Sequence, residues 1–203
     1  MSKVIAFSGG CFSGKTSAIQ LVKDDFIAKG LTCVVIEELI RDYKIKSIDD
    51  LRSDPNAYFD IQEQIITKKI MQEEKSIIMH YDVVLIDRAI SDSLFYLLFY
   101  VDANKLTPDR QDKYLALVNF VTQYAKLQAF KEIYSCVAFF KPINAVCEDT
   151  VFRPHDINMR KFTESAFINF INLANMAPEL PYISFDLNYE NIKNVPNVLI
   201  EYL

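Results

Sequence analysis

Three of the four glycines in this 203-residue chain fall within one stretch, FSGGCFSGKTS, residues 7–17. A chain this sparing with glycine masses it where the backbone needs conformations closed to other residues. Before the stretch lies a short apolar run, VIAFS (Val4–Ser8), which reads as a buried strand. After it, Ala18, Val22 and Phe26 recur at helical spacing until Gly30, so the glycines sit in a strand-to-helix turn. Gly9-x-x-x-x-Gly14-Lys15-Thr16 fits the pattern G-x-x-x-x-G-K-[ST] in the setting that the pattern requires. In such a turn successive N–H groups point inward at phosphate oxygens, and the following helix adds partial positive charge. The expected cradle is Gly9, Gly10, Cys11, Phe12, Ser13, Gly14, Lys15, Thr16 and Ser17. Lys15 is expected to reach the β- and γ-phosphates and the Thr16 hydroxyl to ligate Mg²⁺. ATP is the expected donor, with GTP left open. The competing reading is an accidental match or a dead loop. Cys11 and Phe12 occupy freely variable positions, and Cys11 reads as a packed thiol.

The rest of the chain alternates apolar runs with helical patterns. CVVIEE, DVVLIDR, YSCVAFFK and YISFD read as further strands. Helical patterns cover Asn56–His80, Ser91–Val101, about Pro108–Phe130, about Phe162–Leu173 and a closing helix over Glu190–Leu203, its start delayed by Pro196. Such alternation predicts an α/β fold with a parallel sheet covered on both faces. No repeat or long linker divides the chain, so residues 1–203 are expected to form one domain.

Composition narrows the partners. With 22 Lys+Arg against 27 Asp+Glu, the formal charge of −5 argues against broad nucleic-acid binding. The four cysteines, Cys11, Cys33, Cys136 and Cys147, form no CxxC pair, which fits reduced thiols in a cytoplasmic protein. The longest apolar run, Leu94–Val101, is far short of the roughly 20 residues needed to span a bilayer, and no membrane partner is expected. His80 and His155 are isolated and read as structural. The oligomeric state, a homodimer included, stays open.

VVLIDRAISD, residues 83–92, separates the kinds of nucleotide protein. Asp87, at the end of an apolar strand, is placed to act on Mg²⁺. Hydrolytic motors commonly follow that aspartate with a glutamate that activates water; here Arg88 follows. A cation beside the transferred phosphoryl suits the charge stabilisation on which phosphoryl transfer depends. The alternative is an Asp–Arg pair capping a helix. A GTPase switch is disfavoured, because no glycine follows Asp87 in the D-x-x-G spacing and Asn104-Lys105-Leu106-Thr107 lacks a final aspartate.

GGCFSGKTS, EELIRDY, DRAISDSLFY and EDTVFR, in that order and spacing, resemble the small P-loop kinases typified by the nicotinamide riboside kinase domain. More distantly the chain is similar to the deoxynucleoside and thymidylate kinases. Cys11 departs from the proline common at that position. The resemblance implies a three-layer fold with a five-stranded parallel sheet of order 2-3-1-4-5. It also implies a small lid at about residues 143–161, whose Arg153 and Arg160 would close over phosphates. On the acceptor side it assigns Glu38 and Arg41. Independently, carboxylates just past a parallel strand's end lie where α/β ligands bind, so Glu38 is the expected base; a solvated Glu37–Glu38 pair is the alternative. Tyr58-Phe59-x-x-Gln62 looks like the base-holding segment of the deoxynucleoside kinases, with Phe59 or Tyr58 stacking and Gln62 reading a base edge. An aromatic core contact beside an exposed glutamine explains the same residues.

The expected function is Mg·ATP-dependent transfer of a phosphoryl group to a nucleoside or nucleotide. Lys15, Asp87, Arg88, Glu38, Arg153 and Arg160 would carry it. Two alternatives stand beside this reading. One is a kinase of a hydroxymethylated base in DNA, with a groove around Lys68, Lys69 and the lid. The other is a nucleotide-dependent binding module without transfer.

Overall fold

The computed structural model describes residues 2–9, 13–45, 47–130, 134–141, 162, 165, 166, 182–185 and 191–203. The apolar run after the N-terminus forms strand β1 (Lys3–Ser8), and the glycine turn leads into helix α1 (Lys15–Ala28). Strand β2 (Cys33–Ile36) is followed by a 3₁₀ turn over Leu39–Asp42, then α2 (Ile48–Ser53) and the long α3 (Pro55–Ile78). Strand β3 (Val83–Asp87), α4 (Ile90–Tyr100), α5 (Pro108–Phe130), β4 (Tyr134–Phe140) and β5 (Tyr182–Phe185) come next. The chain ends in α6 (Val195–Leu199) between 3₁₀ turns at Asn191–Asn194 and Ile200–Tyr202.

The five strands pair in the order β2-β3-β1-β4-β5, all parallel, as the resemblance implied. Side chains alternate across a strand, and both faces here are apolar. Ile5, Phe7, Val83 and Leu85 pack with Ala18, Val22 and Phe26 of α1 and Val195 and Leu199 of α6. Val4, Ala6, Val84 and Ile86 pack on the opposite side with Ile36 and Ala89. A second layer of aromatic and aliphatic side chains joins α3, α4 and α5 through Phe59, Ile66, Leu94, Leu97, Tyr114 and Val121. Covering both faces explains why the strands read as unbroken apolar runs rather than alternating ones.

Local signals set the boundaries. α1 closes at Gly30 (φ +86), where the Gly30 and Leu31 N–H groups donate back to Ile27 O and Phe26 O. α3 opens with Asp54 accepting from the Asn56 and Ala57 N–H groups and Pro55 in the first turn, a strong helix start. The closing segment differs from the single helix expected over Glu190–Leu203. Pro196 lacks an N–H and fits only the first turn of a helix, so a short α6 begins at Val195 and 3₁₀ turns flank it. The turn at Leu39–Asp42 and α2 were not foreseen, being too short to show a period. The expected helix over Phe162–Leu173 and the lid lie largely outside the described residues.

In register, Phe7 pairs with Asp87 and with Ala138. The ends of β1 and β3 are therefore side by side, while their outgoing connections lead to opposite ends of the sheet. A crevice opens where connections diverge in this way. Gly9 closes the end of β1 at φ +136, and a Cβ there would stand 2.3 Å from the Phe140 carbonyl oxygen. Gly30 needs its left-handed backbone as well, but a Cβ there meets nothing within 4 Å. Gly30→Ala should cost only the strain of φ, about 1–2 kcal/mol. Gly9→Ala should more than double that loss in thermal unfolding, because β4 must also shift; equal losses would contradict the close approach.

Candidate active site

The crevice is built outward from the glycine turn. Lys15, 7% exposed at the head of α1, folds its ammonium onto Gly9 O (2.9 Å) and Ser13 Oγ (3.1 Å). Gly14, at φ 79, delivers the chain into α1, which places Lys15, Thr16 and Ser17 in the helix's first turn. Gly10, Cys11 and Phe12 lie outside the described residues. Thr16 Oγ1 donates to Asp87 Oδ2 at 3.4 Å. The buried Asp87 Oδ1 finds no donor among the described residues. A hydroxyl beside a carboxylate with a spare oxygen fits a Mg²⁺ ion that takes its other ligands from phosphates and water. Among the described residues no cluster of three or more His, Cys, Asp or Glu could hold a metal by itself.

Arg88 is the hub. Its backbone takes φ 73, unusual for a residue with a Cβ, and its N–H donates to Phe7 O at 2.9 Å. The side chain turns back over the crevice. Nε donates to Glu38 Oε1 at 2.5 Å, and Nη1 donates to Gly9 O at 3.2 Å and to Tyr96 Oη at 2.9 Å. The guanidinium carbon stands 4.9 Å from the centre of the Tyr96 ring, within cation–π range. Arg88 thus links the phosphate turn to Glu38, just past β2. Burial would raise the Glu38 carboxyl, but the charges of Arg88, Lys15 and Arg41 and the Arg88 hydrogen bond outweigh it and hold the group at about 2. Arg41, half exposed, stands 3.6 Å from Glu38 Oε2. Glu37 is exposed.

Beyond Arg88 the cleft is walled by Glu38, Leu39, Ile40, Arg52, Tyr58, Gln62, Ile65, Lys69, Ser93 and Tyr96. Gln62 is buried at the wall, and no hydrogen bond to a described residue engages its side-chain amide. Burial pushes the Tyr58 hydroxyl up to about 12. Phe59 stands elsewhere: fully buried and edge-on to Tyr114, it belongs to the helical core and does not line the cleft. Lys68 is exposed and paired with Asp42, whereas Lys69 is 3% exposed and donates to Asp87 O at 3.1 Å. The two lysines therefore do not edge a common surface groove. Arg153 and Arg160 lie outside the described residues.

Ser93, Tyr96, Arg52 and Asp92 were not singled out from the sequence, and Lys69 was singled out only for a DNA groove, not for this cleft. For Lys69 a signal existed, since Gln62, Ile65 and Lys69 share one helical face by spacing. Asp92, wholly buried, accepts from Ser8 Oγ at 2.6 Å across 84 residues of chain, which no local pattern announces. Burial pushes its carboxyl up to about 6 against the pull of Arg88, Ser8, Lys69 and Lys15.

Comparison with known proteins bears on this geometry. A family model described as an AAA domain matches residues 4–177. No curated protein matches the chain. Among solved structures, deoxyadenosine kinase from M. mycoides with bound dCTP is 13% identical with a TM-score of 0.61, covering 100% of both chains. The same kinase with bound dATP is 16% identical with a TM-score of 0.59, covering 98% of this chain and 97% of that one. A third structure, with dCMP and a flexible dCDP, is 13% identical at 0.59, covering 98% and 96%. At such identities the likeness establishes the fold alone, a three-layer P-loop fold with a five-stranded parallel sheet. No helix among the described residues is long and apolar enough to cross a membrane.

The opposite shifts of Glu38 and Asp92 predict opposite acid behaviour. Glu38 is depressed from 4.5 to about 2, so it contributes stability above the upper value that is lost as pH falls through the lower. Asp92 is raised from 3.8 to about 6, so its burial penalty is absent below the lower value and grows as pH rises to the upper. In urea unfolding, Glu38→Gln should flatten the acid loss between those Glu38 values. Asp92→Asn should flatten the decline between the Asp92 values. Unchanged pH profiles would contradict the assignment.

Proposed function

The chain belongs to the AAA domain family, and we propose that within it this protein is a Mg·ATP-dependent phosphotransferase acting on a nucleoside or nucleotide. The observation that carries the reading is Arg88. Directly after the metal-side Asp87 stands a cation bonded both to the phosphate turn and to Glu38, where a hydrolytic enzyme would carry a water-activating carboxylate. The turn amides and Lys15 hold the donor phosphates. Thr16 and Asp87 would hold Mg²⁺, which when bound would neutralise charge on the donor phosphates. Arg88 bridges the space between donor and acceptor, where negative charge spreads over the transferred group.

Glu38 then takes the acceptor hydroxyl. Held low by Arg88, it is ionised at neutral pH and accepts a hydrogen bond; when Arg88 turns to the phosphoryl group, that restraint lifts and Glu38 gains basicity. For a monophosphate acceptor no base is needed, and Arg41 and Arg88 suit the anion. Tyr58 and Gln62 suit an aromatic base, one as a flat apolar surface and the other as donor and acceptor. Arg153 and Arg160, which the resemblance assigns to a lid, would complete the site and exclude water. The similar folds include a kinase whose name specifies deoxyadenosine and which binds dCTP, dATP and dCMP, so deoxyadenosine and deoxycytidine are the first acceptors to try.

The test is transfer of labelled γ-phosphate from ATP across deoxynucleosides, ribonucleosides, their monophosphates, nicotinamide riboside and hydroxymethylated DNA. Label should pass to a nucleoside or nucleotide product. Lys15→Ala should lower turnover by roughly 100-fold or more with thermal unfolding little changed. Label found only in inorganic phosphate, or full turnover in Lys15→Ala, would overturn the reading.

A further inference from the structure

Two tyrosines one turn apart on α4 each carry an arginine. Tyr96 and Tyr100 stack with ring centres 5.9 Å apart and planes within 7° of parallel. Arg88 stands over Tyr96, and the Arg52 guanidinium carbon stands 3.5 Å from the centre of the Tyr100 ring. Tyr100 lies one turn further along α4 from the end of β3, so Arg52 is set a turn beyond Arg88. Tyr58 is its neighbour: the ring stands edge-on to Tyr100 with centres 6.0 Å apart, and its hydroxyl meets the Arg52 guanidinium. Arg52 lines the cleft and makes no ion pair with a described residue, and its buried Nε finds no acceptor among them. A guanidinium stacked on a ring is held in one plane, which leaves its fork of N–H groups pre-organised for the edge of a ligand.

We propose that Arg52 is a specificity-determining residue that reads the acceptor's base, selecting an edge with two adjacent acceptors, as in guanine, over an edge that carries an amino group. The proposal rests on reading this cleft as the acceptor site, with Tyr58 and Gln62 at its base end. The Tyr58 and Ser93 hydroxyls and the Gln62 amide each donate and accept, so they adapt to either kind of edge. Arg52 has donors alone. Lys69, also donor-only, is tied to Asp87 O at the metal end, and Arg88 is tied to Gly9 O and Glu38. Guanine offers O6 and N7 side by side, the pair that a guanidinium fork matches. Adenine sets an N6–H₂ donor beside N7, and cytosine carries an N4–H₂ donor. Such a donor facing Arg52 leaves N–H groups unpaired on a desolvated wall, so the wrong base is penalised and not merely unrewarded. Guanine acceptors therefore come ahead of the adenine and cytosine ones that the similar folds suggest trying first.

The test compares deoxyguanosine, deoxyadenosine and their 5′-monophosphates, by kcat/KM with ATP as donor and by equilibrium binding in calorimetry. Guanine should exceed adenine roughly tenfold in both readouts, within the worth of one bidentate pair. Arg52→Met keeps an apolar stem on Tyr100 and removes the donors, which should bring guanine down to the adenine level. Adenine itself and the ATP KM should then stay within about threefold, since neither uses the fork. Arg52→Gln supplies an amide of the kind that pairs with adenine N6 and N7, so it should move the guanine-to-adenine ratio below that of Arg52→Met. A ratio does not depend on the fraction of protein folded, so a merely structural role for Arg52 would leave it unmoved. No guanine preference in the wild-type protein, or a preference that survives both variants, overturns the proposal. A loss confined to the monophosphates of both bases overturns it too, and makes Arg52 a phosphate contact. Guanine-selective binding that vanishes in Arg52→Met, in a protein that passes label to no acceptor, leaves the base reading standing and removes the kinase reading instead.

Discussion

The site depends on one arginine held in an unfavourable backbone conformation. Arg88 takes φ 73, and strain of this kind persists only where the surroundings over-determine it. Here the Arg88 N–H is fixed by Phe7 O, and the side chain by Gly9 O, Glu38 and Tyr96. Gly9 O also receives Lys15, so the cations Lys15 and Arg88 share one carbonyl. That carbonyl sits where it does because Gly9 has no Cβ to strike the Phe140 carbonyl of β4. Sheet register, glycine turn and arginine are therefore a single constraint, and displacing β4 would disturb the hub.

Around that hub the fold crowds charge that water would otherwise solvate. Lys15, Lys69, Asp87 and Asp92 are all buried, and Arg88 and Glu38 are mostly so. Crowding separates carboxyls that have similar ordinary values: Glu38 is held at about 2 beside Arg88, whereas Asp92 and Glu73 are pushed up to about 6 and about 7 by burial. Charges held in this way cost stability and gain orientation, and in the proposed reaction the turn of Arg88 toward the phosphoryl group is the one rearrangement among them. Helices α2, α3 and α4 line the cleft that the proposed reading gives to the acceptor, and α1 with the glycine turn stands where it puts the donor. Arg88, at the end of β3, spans the two.

The phosphate turn was the most readable feature in the sequence, because its backbone demands are met by glycine and its chemistry by Lys15 and Thr16 in fixed order. The strands were readable because both sheet faces are covered. The position of Glu38 followed from its place just past β2. What escaped were matters of phase and distance. Tyr58 and Phe59 are adjacent, both apolar and both buried, so only the rotation of α3 decides that Tyr58 lines the cleft and Phe59 the core. Lys69 carries a residue type that is usually exposed. The Ser8–Asp92 and Glu73–Tyr134 contacts join segments far apart in the chain, and composition is blind to them. The short turn at Leu39–Asp42, which puts Leu39 and Ile40 on the cleft wall, is too brief to have a period.

The account turns on Arg88 acting as a planar, forked cation between donor and acceptor, a part that lysine's point charge does not fill. The direct measurement is Arg88→Lys, with ATP affinity and labelled phosphoryl transfer to a deoxynucleoside followed in the same preparation. Transfer should fall by roughly 100-fold or more while ATP affinity stays within about threefold. Transfer preserved in Arg88→Lys, or lost only in proportion to ATP binding, would contradict the account.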